Sequence, residues 1–199
     1  MSNRKSSRGC LPKFLLAVLI VGILFALLYF TGAFRCIRIS IEKYIYPLKY
    51  EAEIMKASEK YDLEPEFIAA VIYTESKFNE NSESSAGAKG LMQLMPNTFT
   101  WLVEKRGASY TESDIMTPEV NIDYGCYYLS WLDKYLPGDI YTAAAAYNAG
   151  MGRVSEWLEN PLYSVDGENL VTMPFTETEN YVNEIKHKEQ KYSELYFSK

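Results

Sequence analysis

The run PEFIAAVIYTESKF, residues 65–78, decides the fold predicted for this chain. It begins with a proline, which suits the first turn of a helix because its missing N–H has no partner there. Residues spaced at i, i+3, i+4 and i+7 share one helix face. That face carries Ile68, Val71, Ile72 and Glu75. The run therefore predicts a helix that continues to about residue 78 and holds one carboxylate on its apolar face, close to its C-terminal end.

Two interpretations of Glu75 are open from the residues alone. Glutamate is a good helix former and is common on surfaces, so composition favours an exposed side chain in a fraying last turn. The shared face with apolar residues favours a buried carboxyl group instead. Burial and the negative end of the helix dipole would both raise its pKa. A glutamate of raised pKa in a cleft is what a general acid acting on a sugar ether oxygen requires.

The rest of residues 48–199 also has helical periodicity, with proline, glycine and capping residues at the boundaries. No stretch alternates apolar and polar residues with β-branched enrichment, so the fold class is predicted to be all-α, as one helical domain. Residues 79–90 have the composition of a loop. The other predicted helices cover 48–60, 96–106, a segment from Pro118, a segment capped by Asp139, 152–159 and 177–197.

The N-terminal part is predicted to contain a single transmembrane helix. Residues 14–34 carry no charge over 21 positions, which is enough to cross a bilayer as a helix. The alternative is a cleaved signal peptide, whose apolar core is usually shorter. Residues 1–13 form a basic tail, and residues 35–47 form a juxtamembrane connector. The positive charges before the span favour a cytoplasmic N-terminus, with residues 48–199 on the extracytoplasmic side of the cell membrane.

Charge and composition argue against several functional classes. The formal net charge is -6, but residues 1–38 hold six basic residues and no acid, so residues 39–199 carry a net charge of -12. An acidic body of that size repels phosphate backbones, which argues against nucleic acid as a partner. The three cysteines have no metal-site spacing, and the one histidine, His187, lies in a charged terminal helix. We therefore expect no metal, no cofactor and no histidine triad.

Four motifs stand in order along the helical domain: ESKF at 75–78, SSAGAKGLMQLMP at 84–96, AYNAG at 146–150 and PFTETENYV at 174–182. Together they resemble the catalytic domain of lytic transglycosylases of the soluble-lytic-transglycosylase type, which has a lysozyme-like fold. PEVNIDYGCYYLSWL, residues 118–132, is similar to the central helix of that family. The resemblance covers roughly residues 50–190 and leaves out the N-terminal anchor.

The resemblance implies that Glu75 is the catalytic acid. Residues 90–96 would form one wall of a glycan groove, in which Gln93 hydrogen-bonds the sugar and Met95 packs against it. Further contacts to the substrate are implied for Ser84, Tyr147, Asn148, Glu177 and Tyr181. From the residues alone, the 90–96 segment could equally be ordinary core, and residues 148–150 could be an ordinary helix stop.

Ordinary glycosidases use two carboxylates, whereas this sequence offers one strong candidate. The resemblance implies a membrane-anchored enzyme that cleaves peptidoglycan between N-acetylmuramic acid and N-acetylglucosamine and leaves 1,6-anhydromuramyl ends. Glu75 would serve as both acid and base. Two alternatives remain: a hydrolytic muramidase similar to goose-type lysozymes, which needs another carboxylate to hold water, and a non-catalytic cell-wall-binding module.

Overall fold

A computed structural model describes residues 10–198, which form two compact units that meet between Ile45 and Tyr46. The first unit consists of helices α1 (Cys10–Phe30) and α2 (Ala33–Ile45). Residues Pro12–Phe30 have a mean hydropathy of 2.6, and their helix is long and apolar enough to cross a membrane. The basic positions of the predicted tail before residue 10 lie outside the described residues.

The helices of the first unit differ in extent from the predicted segments 14–34 and 35–47. The helix begins at Cys10 and ends at Phe30, four residues before the predicted end at 34. It ends there because Gly32 has a φ of 70°, a left-handed conformation that interrupts the helix. The predicted connector, residues 35–47, is mostly helical, because α2 runs through it to Ile45.

The second unit is built of helices, and the prediction of an all-α fold is confirmed. Among residues 46–198 the only extended pairings are three isolated bridges, two of them in the loop between α4 and α5. The α-helices are α3 (Glu51–Tyr61), α4 (Pro65–Ser76), α5 (Pro96–Lys105), α6 (Pro118–Tyr135), α7 (Ile140–Ala149), α8 (Met151–Leu158) and α9 (Thr176–Tyr192). A 3₁₀ turn, Glu112–Met116, precedes α6, and a π-helical turn, Ser193–Phe197, follows α9.

Helix α4 lies at the centre of this unit. Its residues 67–72 are all buried, so the helix is enclosed on every side and not only on the face of Ile68, Val71 and Ile72. A helix that is apolar all round is typical of such a central position. It packs along α9, while α6 packs against both α3 and α7. The contact between α4 and α9 brings the C-terminal part of the chain to the end of the PEFIAAVIYTESKF run.

Helix α4 ends at Ser76 and not at residue 78 as predicted. Lys77 and Phe78 have φ values of 52° and 61°, two successive left-handed residues that terminate the helix. The Phe78 side chain is fully buried, which holds the chain in this conformation. The turn leaves Glu75 as the second-last residue of α4.

Candidate active site

The carboxyl group of Glu75 lies beside the hydroxyl group of Tyr181. The Tyr181 hydroxyl donates a hydrogen bond of 2.6 Å to Glu75 Oε1, and Tyr181 is buried in α9. The structure therefore brings together the first and the last of the four sequence motifs. Because Tyr181 is the donor, the proton of a neutral Glu75 carboxyl is left on Oε2, the atom from which it can be given away.

Burial sets the protonation state of this site. It raises the pKa of Glu75 from its ordinary value of 4.5 to about 7, and the hydrogen bond from Tyr181 partly lowers that pKa again. Burial also raises the pKa of Tyr147 and of Tyr181 well above the ordinary tyrosine value, and the nearby charge of Glu75 adds to both. Both phenols are therefore hydrogen-bond donors at neutral pH, and Glu75 titrates near it.

Tyr147, near the end of α7, connects the site to the predicted groove wall. Its hydroxyl donates a hydrogen bond of 2.8 Å to the carbonyl oxygen of Met92, a residue that is fully buried. The charge of Glu75 contributes to the raised pKa of the Tyr147 phenol. Tyr147 therefore fixes the backbone of the 90–96 segment next to the carboxyl group.

Gln93 is turned toward its own loop. Its backbone has a φ of 48°, and its side-chain Nε2 donates to the carbonyl oxygens of Ser82 at 3.0 Å and Gly90 at 2.8 Å. Both amide hydrogens are thus used inside the protein, so only the amide oxygen could accept a hydrogen bond from a sugar. Met95, two residues on, is 41% exposed.

The buried residue Asn121 was missed by the sequence analysis. Its Oδ1 accepts from the Met92 N–H at 2.7 Å, and its Nδ2 donates to the carbonyl oxygens of Ile115 at 2.7 Å and Lys89 at 3.0 Å. Asn121 thus fixes the backbone at the start of the 90–96 segment to helix α6. The sequence offered one signal for this role. Asn121 lies three, four and seven residues before Tyr124, Gly125 and Tyr128, so it shares their face of α6, and it is the one side-chain amide in that helix.

Gly90 is the point at which the segment passes closest to Asn121. It has a φ of 79°, and a Cβ added there would lie 2.4 Å from Asn121 Nδ2 and 2.8 Å from its Cγ. Only glycine allows both this left-handed backbone and this approach. The close packing of this segment against α6 therefore requires glycine as the first residue of the GLMQLMP motif.

The remaining predicted residues occupy three different environments. Asn148 Oδ1 accepts a hydrogen bond of 2.8 Å from the buried hydroxyl of Thr178, which connects α7 to the first turn of α9. Ser84 closes its own loop, because its hydroxyl accepts from the N–H of Ala88 at 3.0 Å. Glu177 is exposed in the first turn of α9 and has no hydrogen-bond partner among the described residues. Thr178 was not predicted.

Glu75 is the only carboxylate in this cluster within the described part of the chain. No second acid contributes to the pKa of Glu75, and Glu80, the next acid along the chain, accepts a hydrogen bond of 2.6 Å from the hydroxyl of Tyr50. Across residues 10–198, no three His, Cys, Asp or Glu side chains are grouped so that they could hold a metal ion. The arrangement can therefore donate and accept a proton at one group, surrounded by two neutral phenols.

Comparison with known proteins identifies relatives of the helical unit. Residues 53–166 match the family described as "Transglycosylase SLT domain", a range that includes Glu75, Gln93 and Asn148 and ends before Tyr181. The soluble lytic murein transglycosylase of Salmonella typhimurium is 34% identical over 147 residues, which cover 70% of this chain and 22% of that protein. Membrane-bound lytic murein transglycosylase C of Serratia proteamaculans is 36% identical over 116 residues, 53% of this chain and 32% of that protein.

Solved structures show the same fold. The 70 kDa soluble lytic transglycosylase of Escherichia coli matches 77% of this chain and 25% of that protein, with a TM-score of 0.69 and 28% identity. An inactive glutamate-to-glutamine mutant of lytic transglycosylase Slt from Pseudomonas aeruginosa matches with a TM-score of 0.67 and 30% identity, again over 77% of this chain and 25% of the other. The chain thus spans between about a fifth and a third of the length of these relatives.

Proposed function

Because the chain belongs to the Transglycosylase SLT domain family, we propose that it is a peptidoglycan lytic transglycosylase that cleaves between N-acetylmuramic acid and N-acetylglucosamine. The relatives named as lytic murein transglycosylases support the substrate class. The observation that carries the proposal is the half-buried Glu75, whose pKa of about 7 and hydrogen bond from Tyr181 suit a group that exchanges protons near neutral pH.

The proposed reaction uses Glu75 twice. The neutral carboxyl group donates its proton to the bridging oxygen, and the bond from that oxygen to the muramyl anomeric carbon breaks. The 2-acetamido group of the sugar stabilises the cationic carbon. The Glu75 carboxylate then takes the proton of the muramyl 6-hydroxyl group, whose oxygen bonds to the anomeric carbon. The product has a 1,6-anhydromuramyl end, no water is consumed, and Glu75 is neutral again.

The surrounding residues have supporting roles in this proposal. Tyr181 holds the carboxyl group and stabilises its charged form between the two proton transfers. Tyr147 and Asn121 fix the backbone of the groove wall, residues 90–96. Met95 belongs to this wall and can pack against a sugar ring. Asn148 and Glu177 stand at the neighbouring ends of α7 and α9, and Ser84 shapes the loop before the wall.

One experiment distinguishes the proposed lytic transglycosylase from a hydrolytic muramidase and from a non-catalytic binding module. Purified murein is digested with the full chain in detergent, and the soluble fragments are identified by mass. A lytic transglycosylase releases fragments with anhydromuramyl ends, which are lighter by one water than reducing ends. A hydrolytic muramidase releases reducing ends, and a non-catalytic binding module releases no soluble fragments. Predominantly reducing ends would contradict the proposal.

We further propose that the apolar helix α1 anchors the protein in the cell membrane, with the helical unit on the extracytoplasmic side. The length and hydropathy of α1 and the membrane-bound relatives support this proposal. Membrane fractions and the mature N-terminus test it. The protein should sediment with membranes and retain residues 1–34, whereas a mature N-terminus just after Phe34 would contradict an anchor.

A further inference from the structure

Helix α2 does not continue the line of the apolar helix α1. Phe25 of α1 and Phe34 of α2 are nine residues apart, and in one continuous helix they would lie on opposite faces, since each residue turns the chain by about 100°. Their ring centroids instead lie 5.0 Å apart. The direction changes at Gly32, whose φ of 70° interrupts the helix. Where α1 crosses a bilayer, α2 therefore turns away from the bilayer normal close to the point at which the chain emerges.

The large apolar residues of α2, with the exception of the half-buried Ile39, lie on one face. They are spaced at i, i+3, i+7, i+10 and i+11, and we name them the apolar face of α2: Phe34, Ile37, Ile41, Tyr44 and Ile45. Ile37 and Ile41, at the centre of this face, are 51% and 54% exposed. An amphipathic helix is stabilised mainly by burial of its apolar face, and 13 residues alone form a helix of marginal stability in water. The apolar face of α2 therefore requires a partner.

The positive charges of α2 lie outside the apolar face. Arg35, Arg38 and Lys43 outnumber the one acid, Glu42, so α2 carries a net charge of +2, whereas residues 46–199 carry -12. Basic residues that follow a membrane span oppose the charge bias that keeps the N-terminus in the cytoplasm, so their presence at this point calls for another role. An apolar face combined with a basic polar face is typical of helices that lie in a membrane interface, where the headgroup phosphates attract the positive charges.

A second copy of α2 fits this face less well than a lipid surface does. Coiled coils sustain their apolar positions over at least about 3–4 heptads, whereas α2 has 13 residues in all. Two copies side by side would also bring together two helices that each carry a net charge of +2. A lipid surface accepts a helix of this length and charge, and it begins where a membrane-spanning α1 ends.

We propose that α2 lies along the extracytoplasmic surface of the membrane, with its apolar face among the outer parts of the acyl chains and its basic side chains at the headgroup phosphates. This inference rests on the proposed membrane anchor α1 and is independent of the proposed reaction. Tyr44 suits the position, because it is 88% exposed and tyrosine is enriched where a membrane meets water.

The position of α2 also decides where the helical unit starts. Tyr46 follows α2 directly, and its carbonyl oxygen accepts a hydrogen bond of 2.9 Å from the hydroxyl of Tyr196. The carbonyl oxygen of Pro47 accepts a bond of 3.1 Å from the hydroxyl of Tyr192. Both residues are thus fixed to the C-terminal part of the helical unit, and no free linker separates them from α2. A surface-bound α2 would hold the start of the helical unit at the membrane, with the nearest murein within its reach.

The test places a fluorescent probe on either side of α2 in the full chain. Cys10→Ser and Cys36→Ser remove two of the three cysteines, and Cys126 stays because it is fully buried. A polarity-sensitive maleimide probe is attached to Ile41→Cys or, as the matched control, to Lys43→Cys, which lies about 200° further round the helix. Each protein is inserted as one chain per nanodisc of phosphatidylglycerol and phosphatidylethanolamine. Quenching is measured with lipids that carry a nitroxide on the acyl chain and with iodide in the water.

We expect the Ile41 probe to be quenched by the nitroxide lipid and to have a several-fold lower iodide quenching constant than the Lys43 probe. Equal iodide quenching at the two positions would overturn the inference, because both sides of α2 would then face water. An Ile41 probe that is protected from iodide but not quenched by the nitroxide lipid would also overturn it, since protein would then cover the apolar face. Protection that appears only in discs with two chains would assign the face to a second copy and have the same consequence.

A third probe, at Val21→Cys in the middle of α1, separates this inference from the proposed anchor. Val21 is exposed, and a probe there should be quenched by the nitroxide lipid. A Val21 probe in lipid combined with an Ile41 probe in water would leave the anchor standing and overturn the surface position of α2. A Val21 probe that iodide quenches freely would contradict the anchor and, with it, this inference. Digestion of murein by the same proteins tests the reaction separately.

Discussion

The hydroxyl group of Tyr181 donates a 2.6 Å hydrogen bond to Oε1 of Glu75, although 106 residues separate the two in the sequence. The packing of α9 along α4 creates this contact. Burial and the hydrogen bond act in opposite directions on the carboxyl group, since burial raises its pKa and the bond lowers it. The result, a pKa of about 7, lets one group act as acid and as base in the same reaction.

Replacement of Tyr181 by phenylalanine should move the basic limb of the pH–activity profile to higher pH. The substitution removes the bond that favours the charged carboxylate, so the pKa of Glu75 rises above its present value of about 7. The measurement is the pH dependence of kcat/KM, which reports groups of the free enzyme. Tyr50→Phe is the control, because it removes a bond of equal length, 2.6 Å, from Glu80. A basic limb that moves equally in both variants would contradict this role of Tyr181.

Glu75→Gln should stabilise the protein at high pH and leave its stability unchanged at low pH. The pKa of Glu75 is about 7 in the folded protein, above its ordinary value of 4.5. Below pH 4.5 the group is neutral in both states and costs nothing, whereas above pH 7 the folded state must bury a carboxylate. Stability is therefore lost as the pH rises between these values, by on the order of 3 kcal/mol, and the glutamine variant avoids that loss.

The measurement is chemical unfolding of both proteins at pH 4 and pH 8, followed by tryptophan fluorescence. All three tryptophans, Trp101, Trp131 and Trp157, lie in the helical unit, so the signal reports that unit alone. A difference between the two proteins that is the same at both pH values would show that the buried charge is not its cause.

Tyr147→Phe should lower turnover without abolishing it. The Met92 carbonyl oxygen loses the donor that holds the groove wall, which costs about 1–3 kcal/mol for a buried group left without its partner. We expect this cost to raise the activation free energy of murein cleavage, and the measurement is the rate at which soluble fragments are released. Tyr141→Phe is the control on the same helix, since its hydroxyl donates to Glu189. Wild-type turnover in Tyr147→Phe would mean that the 2.8 Å bond to Met92 does not position the site.

Gly90→Ala should destabilise the helical unit through a collision with Asn121. Gly87→Ala is the matched control, because Gly87 also has a positive φ, 88°, but an added Cβ would meet no atom within 4 Å. Both variants carry backbone strain, and Gly90→Ala adds an overpacking cost of about 1–3 kcal/mol. Free energies of unfolding from denaturant titration provide the comparison. Equal losses in the two variants would show that the contact with Asn121 has no energetic consequence.

The sequence predicted the elements that depend on local periodicity. The apolar face around Glu75 favoured a buried carboxyl group over an exposed one, and the structure half-buries it. Asp139 caps α7 as expected, with its carboxylate accepting from the N–H groups of Tyr141 and Thr142. The end of α4 was predicted two residues too late. A left-handed pair at Lys77 and Phe78 has no local sequence signal, because neither residue is glycine or asparagine and the burial of Phe78 is a tertiary effect.

Contacts between residues that are far apart in the sequence could not be predicted from local sequence patterns. Tyr181 is one of 17 tyrosines, and only the family resemblance distinguished it before the contact with Glu75 was seen. The inward turn of the Gln93 amide follows from a backbone φ of 48°, which the sequence GLMQLMP does not reveal. Asn121 and Thr178 bond to residues 29 and 30 positions away, so their roles follow from how the helices pack.

The release of anhydromuramyl fragments by Glu75→Gln tests the central claim most directly. Glutamine keeps the shape of the side chain and can still accept the Tyr181 hydrogen bond, but it cannot deliver a proton. If Glu75 is the only acid and base, fragment release from purified murein should fall by at least about 10²–10⁴-fold, while the protein stays folded. A glutamine variant that releases anhydromuramyl fragments at a rate near that of the wild type would contradict the single-carboxylate mechanism.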